Sequence, residues 1–232
     1  MNTAQKIIKY FAIAFAATLS ISIIAGIIFG GLGILTATKL IKDNSSVEIS
    51  CEESDKACLQ ISLAASELII KKGDNLSAES TYDKVEIKQD GDQLVITENG
   101  GSIFGNYDRT TIVYVPENME FDKVGISGGA GRIYVEAIKA KKMEVSLGIG
   151  ETVFGNLEVD QAKISTGIGH VEINLASSDD AYSIKVDRGI GEVKFNGSRI
   201  SSDTWIGNGG KKIEISSGIG ELDIKTAAKK AE

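Results

Sequence analysis

The side chains with most chemical potential in this chain follow a glycine motif. Arg132, Glu151, His170, Glu192 and Glu221 each stand directly after a G-x-G triplet. The triplets are Gly129-Ala130-Gly131, Gly148-Ile149-Gly150, Gly167-Ile168-Gly169, Gly189-Ile190-Gly191 and Gly218-Ile219-Gly220, at intervals of 19, 19, 22 and 29 residues. If the five segments stack in chain order, these groups form one column with neighbours about 4.8 Å apart. Arg132 would then lie beside Glu151, and His170 between Glu151 and Glu192. Such a column could answer to pH or divalent cations. The plainer alternative is a solvated face whose opposite charges set the register.

Catalysis finds little support. His170 is the single histidine, and there is no G-x-S-x-G, H-E-x-x-H or phosphate-loop pattern. A G-x-G that recurs between strands and opens no helix makes turns; it does not hold nucleotides. The expectation is a protein that is not an enzyme, with no cofactor and no resident metal. Cys51 and Cys58 are the only cysteines, and the residues between them add no further thiol or imidazole for zinc. They could close a small disulfide loop in an oxidising compartment, remain free thiols, or carry lipid at one position. Ser127, Ser146, Ser165 and Ser216, with Asp187 in the fourth place, are expected to cap the turns by bonding backbone amides.

The elements that must position these groups are strands. Five residues before the second glycine stand Ile126, Val145, Ile164, Val186 and Ile215; seven before stand Val124, Met143, Ala162, Ile184 and Ile213. Two after it stand Ile133, Thr152, Val171, Val193 and Leu222, and four after it Val135, Phe154, Ile173, Phe195 and Ile224. Apart from Thr152, each copy is apolar at every second residue on both sides of a turn, the period of a half-buried strand. Repetition at nearly fixed spacing predicts stacked units, an all-β solenoid; an antiparallel β-sandwich is the rival. Upstream, strands are expected over 59–63, 67–71, 84–88, 93–97 and 111–115, with a hairpin at Asp90-Gly91-Asp92. Phe104, Tyr107 and Trp205 fall on loops, where an aromatic can anchor a partner or plug the end of a core.

Residues 10–38 carry no charge and are flanked by Lys6, Lys9, Lys39 and Lys42. As a helix that run is about 43 Å long, enough to cross a hydrocarbon core of about 30 Å with tilt. It is too long for the apolar region of a cleaved signal peptide. The expected organisation is a short cytoplasmic tail (1–9), a transmembrane helix (10–38), a stalk (39–58), a β-repeat domain (59–225) and a polar tail (226–232). Within the span, Gly26 and Gly30 form a G-x-x-x-G that lets helices approach closely, so self-association or a membrane-protein partner is expected there. Beyond residue 42 the chain carries 21 Lys and Arg against 32 Asp and Glu. That balance disfavours nucleic acid and docking on an anionic inner leaflet. The flanking lysines tie at two per side, so the positive-inside rule does not set orientation; the acidic balance and the Cys51, Cys58 pair together lead to the expectation of a C-terminal domain outside the membrane.

Together, the N-terminal run, the Asp90-Gly91-Asp92 turn, the strand end Val113-Tyr114-Val115-Pro116 and the S-x-G-x-G-acid repeats resemble the bacterial family called putative adhesins. The likeness covers roughly residues 59–225. It implies a β-solenoid domain on the cell envelope, without catalysis, that binds a surface ligand or glycan. Relatives of that family resemble the extracytoplasmic parts of envelope-stress regulators. The resemblance therefore also implies a second role, an accessory or sensory subunit acting through its span.

Overall fold

The computed structural model describes residues 51, 55–99, 109–201 and 203–228. Residues 1–50, with the expected span and Gly26 and Gly30, lie outside that set, as do Phe104 and Tyr107. Among the described residues no helix is long and apolar enough to cross a membrane. The described part is all-β: β1 (Cys58–Lys72), β2 (Ser77–Ser80), β3 (Val85–Asp90), β4 (Gln93–Glu98), β5 (Thr110–Val115), β6 (Phe121–Val135), β7 (Ile138–Leu175), β8 (Tyr182–Phe195), β9 (Ser198–Arg199), β10 (Thr204–Ile206) and β11 (Lys211–Thr226).

The repeats pair in parallel and in register, the arrangement that a solenoid requires and an antiparallel sandwich does not have. Residue for residue, β1 pairs with β6, β6 with the first half of β7, the second half of β7 with β11, and β11 with β8. β7 is long enough to hold two rungs, Gly148–Gly150 of the first lying against Gly167–Gly169 of the second. Six rungs therefore stack in the order β1, β6, first β7, second β7, β11, β8. The last two copies are swapped relative to the chain. After β7 the chain passes a 3-10 turn at Asp179–Ala181, runs β8, and only then fills the intervening place with β11. The intervals of 22 and 29 residues supply the extra connection. Its return is tied by the Gly209 amide, which donates to the Tyr182 carbonyl at 2.9 Å.

All four apolar columns foreseen from the repeat are interior. Val124, Met143, Ile164, Val186, Val171, Leu222, Phe154 and Ile173 are among the buried residues, and Phe195 packs partly buried against them. Fully burying one such aliphatic side chain is worth about 1.5–3 kcal/mol. Thr152 sits in the third column beside Ile133, fully buried, and its hydroxyl has no hydrogen-bond partner.

The corners are held by close backbone contact. At Gly148, Gly167, Gly218 and Gly189 a Cβ would strike the carbonyl of the glycine one rung earlier in the stack. The same holds at Gly150, Gly169, Gly220 and Gly191, where φ also lies between +142° and +149° or reaches +153°. Both glycines of each triplet are therefore fixed by packing, and the second by its backbone angle as well.

The first rung lacks the motif. Ala64 and Ser66 of β1 stand where later rungs carry glycine, because no further rung lies beneath them at the corner. β4 and β5 flank the corner at residues 58–62 and 67–72. Between them the Glu98 carboxylate does the work of the missing rung. It accepts from the Ala64 amide at 2.7 Å, the Ala65 amide at 3.4 Å and the Ser66 hydroxyl at 3.0 Å. Its other oxygen meets the Arg109 guanidinium at 3.4 Å, and Arg109 stacks on the Tyr82 ring 4.4 Å from its centroid. Both partners of this ion pair are buried.

Strand pairing begins at Cys58, and the residues just before it are already attached. Cys51 and Cys58 are joined by a disulfide, with Cα atoms 5.6 Å apart. The Lys56 amide donates to Asp122 at 2.9 Å, and Gln93 donates to the Asp55 carbonyl at 2.7 Å.

Four substitutions test this construction by thermal or denaturant unfolding. Gly150→Ala should cost about 3 kcal/mol or more, from strain and overpacking together. Gly91→Ala, at φ +55° in an open hairpin turn, should cost only about 1 kcal/mol. Thr152→Val should stabilise by about 1 kcal/mol, raising Tm by about 2–4 °C, since it replaces an unsatisfied buried hydroxyl. Glu98→Ala should destabilise by about 3–5 kcal/mol, because it removes a buried ion-pair partner of Arg109 and the acceptor of two amides. Equal losses at Gly150 and Gly91, or a neutral Glu98→Ala, would contradict the close-packed, capped stack.

Candidate binding face

The outward side chains repeat with the rungs, so each position becomes a row across the stack. Ser62, Ser127, Ser146, Ser165 and Ser216 form one row, and Asp187 closes it on β8. The hydroxyls bond along the row, Ser62 to Ser127 at 3.0 Å and Ser165 to Ser216 at 2.9 Å. Amide capping within each turn was the expectation. The side chains instead project from the sheet face, where the neighbouring rung's hydroxyl is the nearer partner.

Two residues earlier, Glu144, Lys163, Glu214 and Lys185 alternate in sign across adjacent rungs. Trp205 of β10 ends this row, paired with Lys185 and 62% exposed, so it plugs no core. The Lys185 ammonium lies 6.0 Å from the indole centroid. Sequence reasoning singled out the serines but not this row. Its signal was the charged residue two places before Ser146, Ser165, Asp187 and Ser216, which alternates in sign only once the true rung order is known.

Beyond the corner, the charged column runs Glu67, Arg132, Glu151, His170, Glu221, Glu192. Arg132 does lie beside Glu151, its Nε donating at 2.9 Å, and it also reaches Glu67 at 3.3 Å. His170 does not lie between Glu151 and Glu192. Because β11 inserts before β8, its neighbours are Glu151 and Glu221, with Nδ1 3.9 Å from the Glu221 carboxylate. Lys194 donates to Glu221 at 2.7 Å and is the main reason that carboxyl is held below its usual range. Arg199 does the same for Glu192 at 2.8 Å, and Lys225 for Glu172 at 2.7 Å. Each of these carboxylates thus has a cationic partner, and the column is largely neutralised by Arg132 within it and by Lys194 and Arg199 beside it. Exposed pairs of this kind set register more than they add stability. Among the described residues no three His, Cys, Asp or Glu side chains converge as a metal site would require.

An open concavity of about 610 Å³ lies at the first corners, lined by Ser66, Glu67, Arg109, Ala130, Arg132 and Glu151. Its two guanidinium groups are already engaged, Arg109 by Glu98 and Arg132 by Glu67 and Glu151. What this surface offers chemically is a flat, rigid grid of hydroxyls and alternating charges with one exposed indole at its edge.

Comparison with known proteins fits this geometry. No curated protein matches the chain. A putative cell adhesion protein from Clostridium sporogenes has a similar fold, with 20% identity over 74% of this chain and 93% of that one and a TM-score of 0.58. A putative adhesin from Bacteroides fragilis aligns over the same shares at 12% identity and a TM-score of 0.33, too low to carry an argument. The family model described as Toastrack DUF4097 matches residues 38–231, most of the sequence, and the chain belongs to that family.

Proposed function

We propose that this chain is a non-catalytic binding protein of the cell envelope, held by one N-terminal membrane anchor with its β domain outside. The observation that carries this is the outward grid. Serine hydroxyls and alternating charges recur at rung spacing on one face, with Trp205 at its edge. A rigid array of weak contacts suits a repetitive surface ligand such as a glycan, because each repeat adds a contact without further ordering cost. The solenoid-like stack supports the same reading, since its side chains cannot drift in spacing. The similarity in fold to a putative cell adhesion protein is consistent with it, as an analogy of fold. The uncharged run 10–38 supports the anchor.

A second reading rests on Gly26 and Gly30, whose spacing suits helix contact in a membrane. There the chain would be an accessory or sensory subunit in envelope-stress signalling, acting through its span.

Crosslinking the full-length chain in its source cells separates the two. On the binding reading, surface polymer is captured, capture falls about tenfold or more in the double variant Ser146→Lys, Ser165→Lys, and it survives Gly26→Ile with Gly30→Ile. Capture of a membrane protein that is lost in the glycine double variant and kept in the serine one would replace it with the signalling reading.

A further inference from the structure

The two ends of the stack are finished differently. At the β1 end, Glu98 and Arg109 close the corner. At the β8 end, β10 covers Ile184–Val186 and β9 covers Lys194–Phe195, and the Ile200 amide takes the Val193 carbonyl. The outer edge from Asp187 to Glu192 has no strand partner among the described residues. Along these six residues the backbone groups turned away from β11 meet no strand among the described residues, and such an edge is a template for strand addition.

The side chains at the gap are unusual for the repeat. Ile190 is 70% exposed, against 44% for Ile149 at the equivalent place of an interior rung. Arg188 occupies the column that interior rungs fill with Leu147, Thr166 and Ser217, all buried. Its Nε is buried without a hydrogen-bond partner. Neither Asp187 nor Arg188 has an ion-pair partner among the described residues. Glu192, by contrast, is engaged by Arg199.

The interior of the stack states what can cover such an edge. Each added rung meets the previous corner with glycine at two alternate positions, because the carbonyls of the previous corner leave no room for Cβ. At β8 the carbonyls of Gly189 and Gly191 are the ones left facing outward. We propose that this edge takes, by parallel strand addition, an extended segment of another polypeptide carrying a G-x-G corner, with a cationic or hydroxyl residue over Asp187 and an acid over Arg188. A second copy of this chain does not meet the requirement. Its interior corners are already stacked on both sides. Its one terminal corner carries Ala64 and Ser66 at the glycine positions, and Glu98 holds that corner's amides. The site lies at the end of the stack and is independent of the outward grid.

The test uses the full-length chain in lipid nanodiscs and the peptide Lys-Glu-Gly-Ile-Gly-Lys-Val, read by amide exchange and backbone shifts. Saturable protection confined to Asp187–Glu192 is expected at millimolar peptide, with no change at the interior corner Leu147–Glu151. Replacing both peptide glycines by alanine should weaken binding about tenfold or more. Arg188→Glu should abolish binding, and a peptide with Lys in place of Glu should restore it, which a misfolded variant could not show. The proposal is overturned by absence of protection, by equal binding of the alanine peptide, or by failure of the charge swap. It is equally overturned if the corner becomes protected without peptide as protein concentration rises, since the occupant is then a second copy.

Discussion

Everything regular in this molecule follows from one contact, the approach of a glycine Cα to the carbonyl of the glycine in the neighbouring rung. A Cβ at either glycine of a corner would strike that carbonyl. The contact therefore fixes residue type at two positions per rung and, through them, the register of everything on either side. Strands of period two slip easily unless something pins them. Here the pin is steric and recurs at every rung. With the corners locked, the apolar columns must coincide inside and the polar rows must coincide outside. The serine row, the alternating charges and the Arg132–Glu151 pair are consequences of the glycine ladder, and none of them sets the register alone.

That constraint also explains what could be seen in the sequence. The G-x-G spacing made the five copies visible, and the alternation around it identified the interior columns. The first rung was invisible as a rung because its corner, Ala64-Ala65-Ser66, has no carbonyl ladder beneath it to forbid Cβ. Its two halves read as separate short strands, where the structure has one continuous β1. Rung order was not legible either. Corners of the same shape fit one another in any sequence, so nothing local says that β11 lies inside β8. Only the longer intervals of 22 and 29 residues hinted at extra travel. Arg188, directly before the fourth triplet where the other copies carry Gly128, Leu147, Thr166 and Ser217, was the one local departure that pointed to an edge: a guanidinium in a column of buried small or aliphatic residues is tolerable only at an end of the stack.

The ends show how a stack that could grow is stopped. A parallel rung always leaves amides and carbonyls for the next one, so a finite stack must satisfy or shield them. At β1 the solution is electrostatic, one buried carboxylate accepting from two amides and a hydroxyl while a stacked arginine balances its charge. At β8 the solution is topological and partial. The insertion that carries β9 and β10 folds back over the two arms of the rung and leaves the corner bare. The same insertion delivers Trp205 to the rim of the outward face, so it also enlarges the exposed surface.

A grid of this kind constrains function by its physics. In the column beyond the corner the charged groups are mostly spent on one another or on adjacent cations, which removes from it the strong isolated charge that a single high-affinity ionic site would need. What remains accessible is repetitive, shallow and individually weak. Such a surface discriminates by period: a ligand gains from several contacts together only if its own repeat keeps pace with the rungs, about 4.8 Å apart. Rigidity is then the active property, because a sheet pinned at each corner gives up little conformational entropy when a ligand lies along it. A flexible loop could match one ligand unit as well, but it could not hold the next contact at the same spacing.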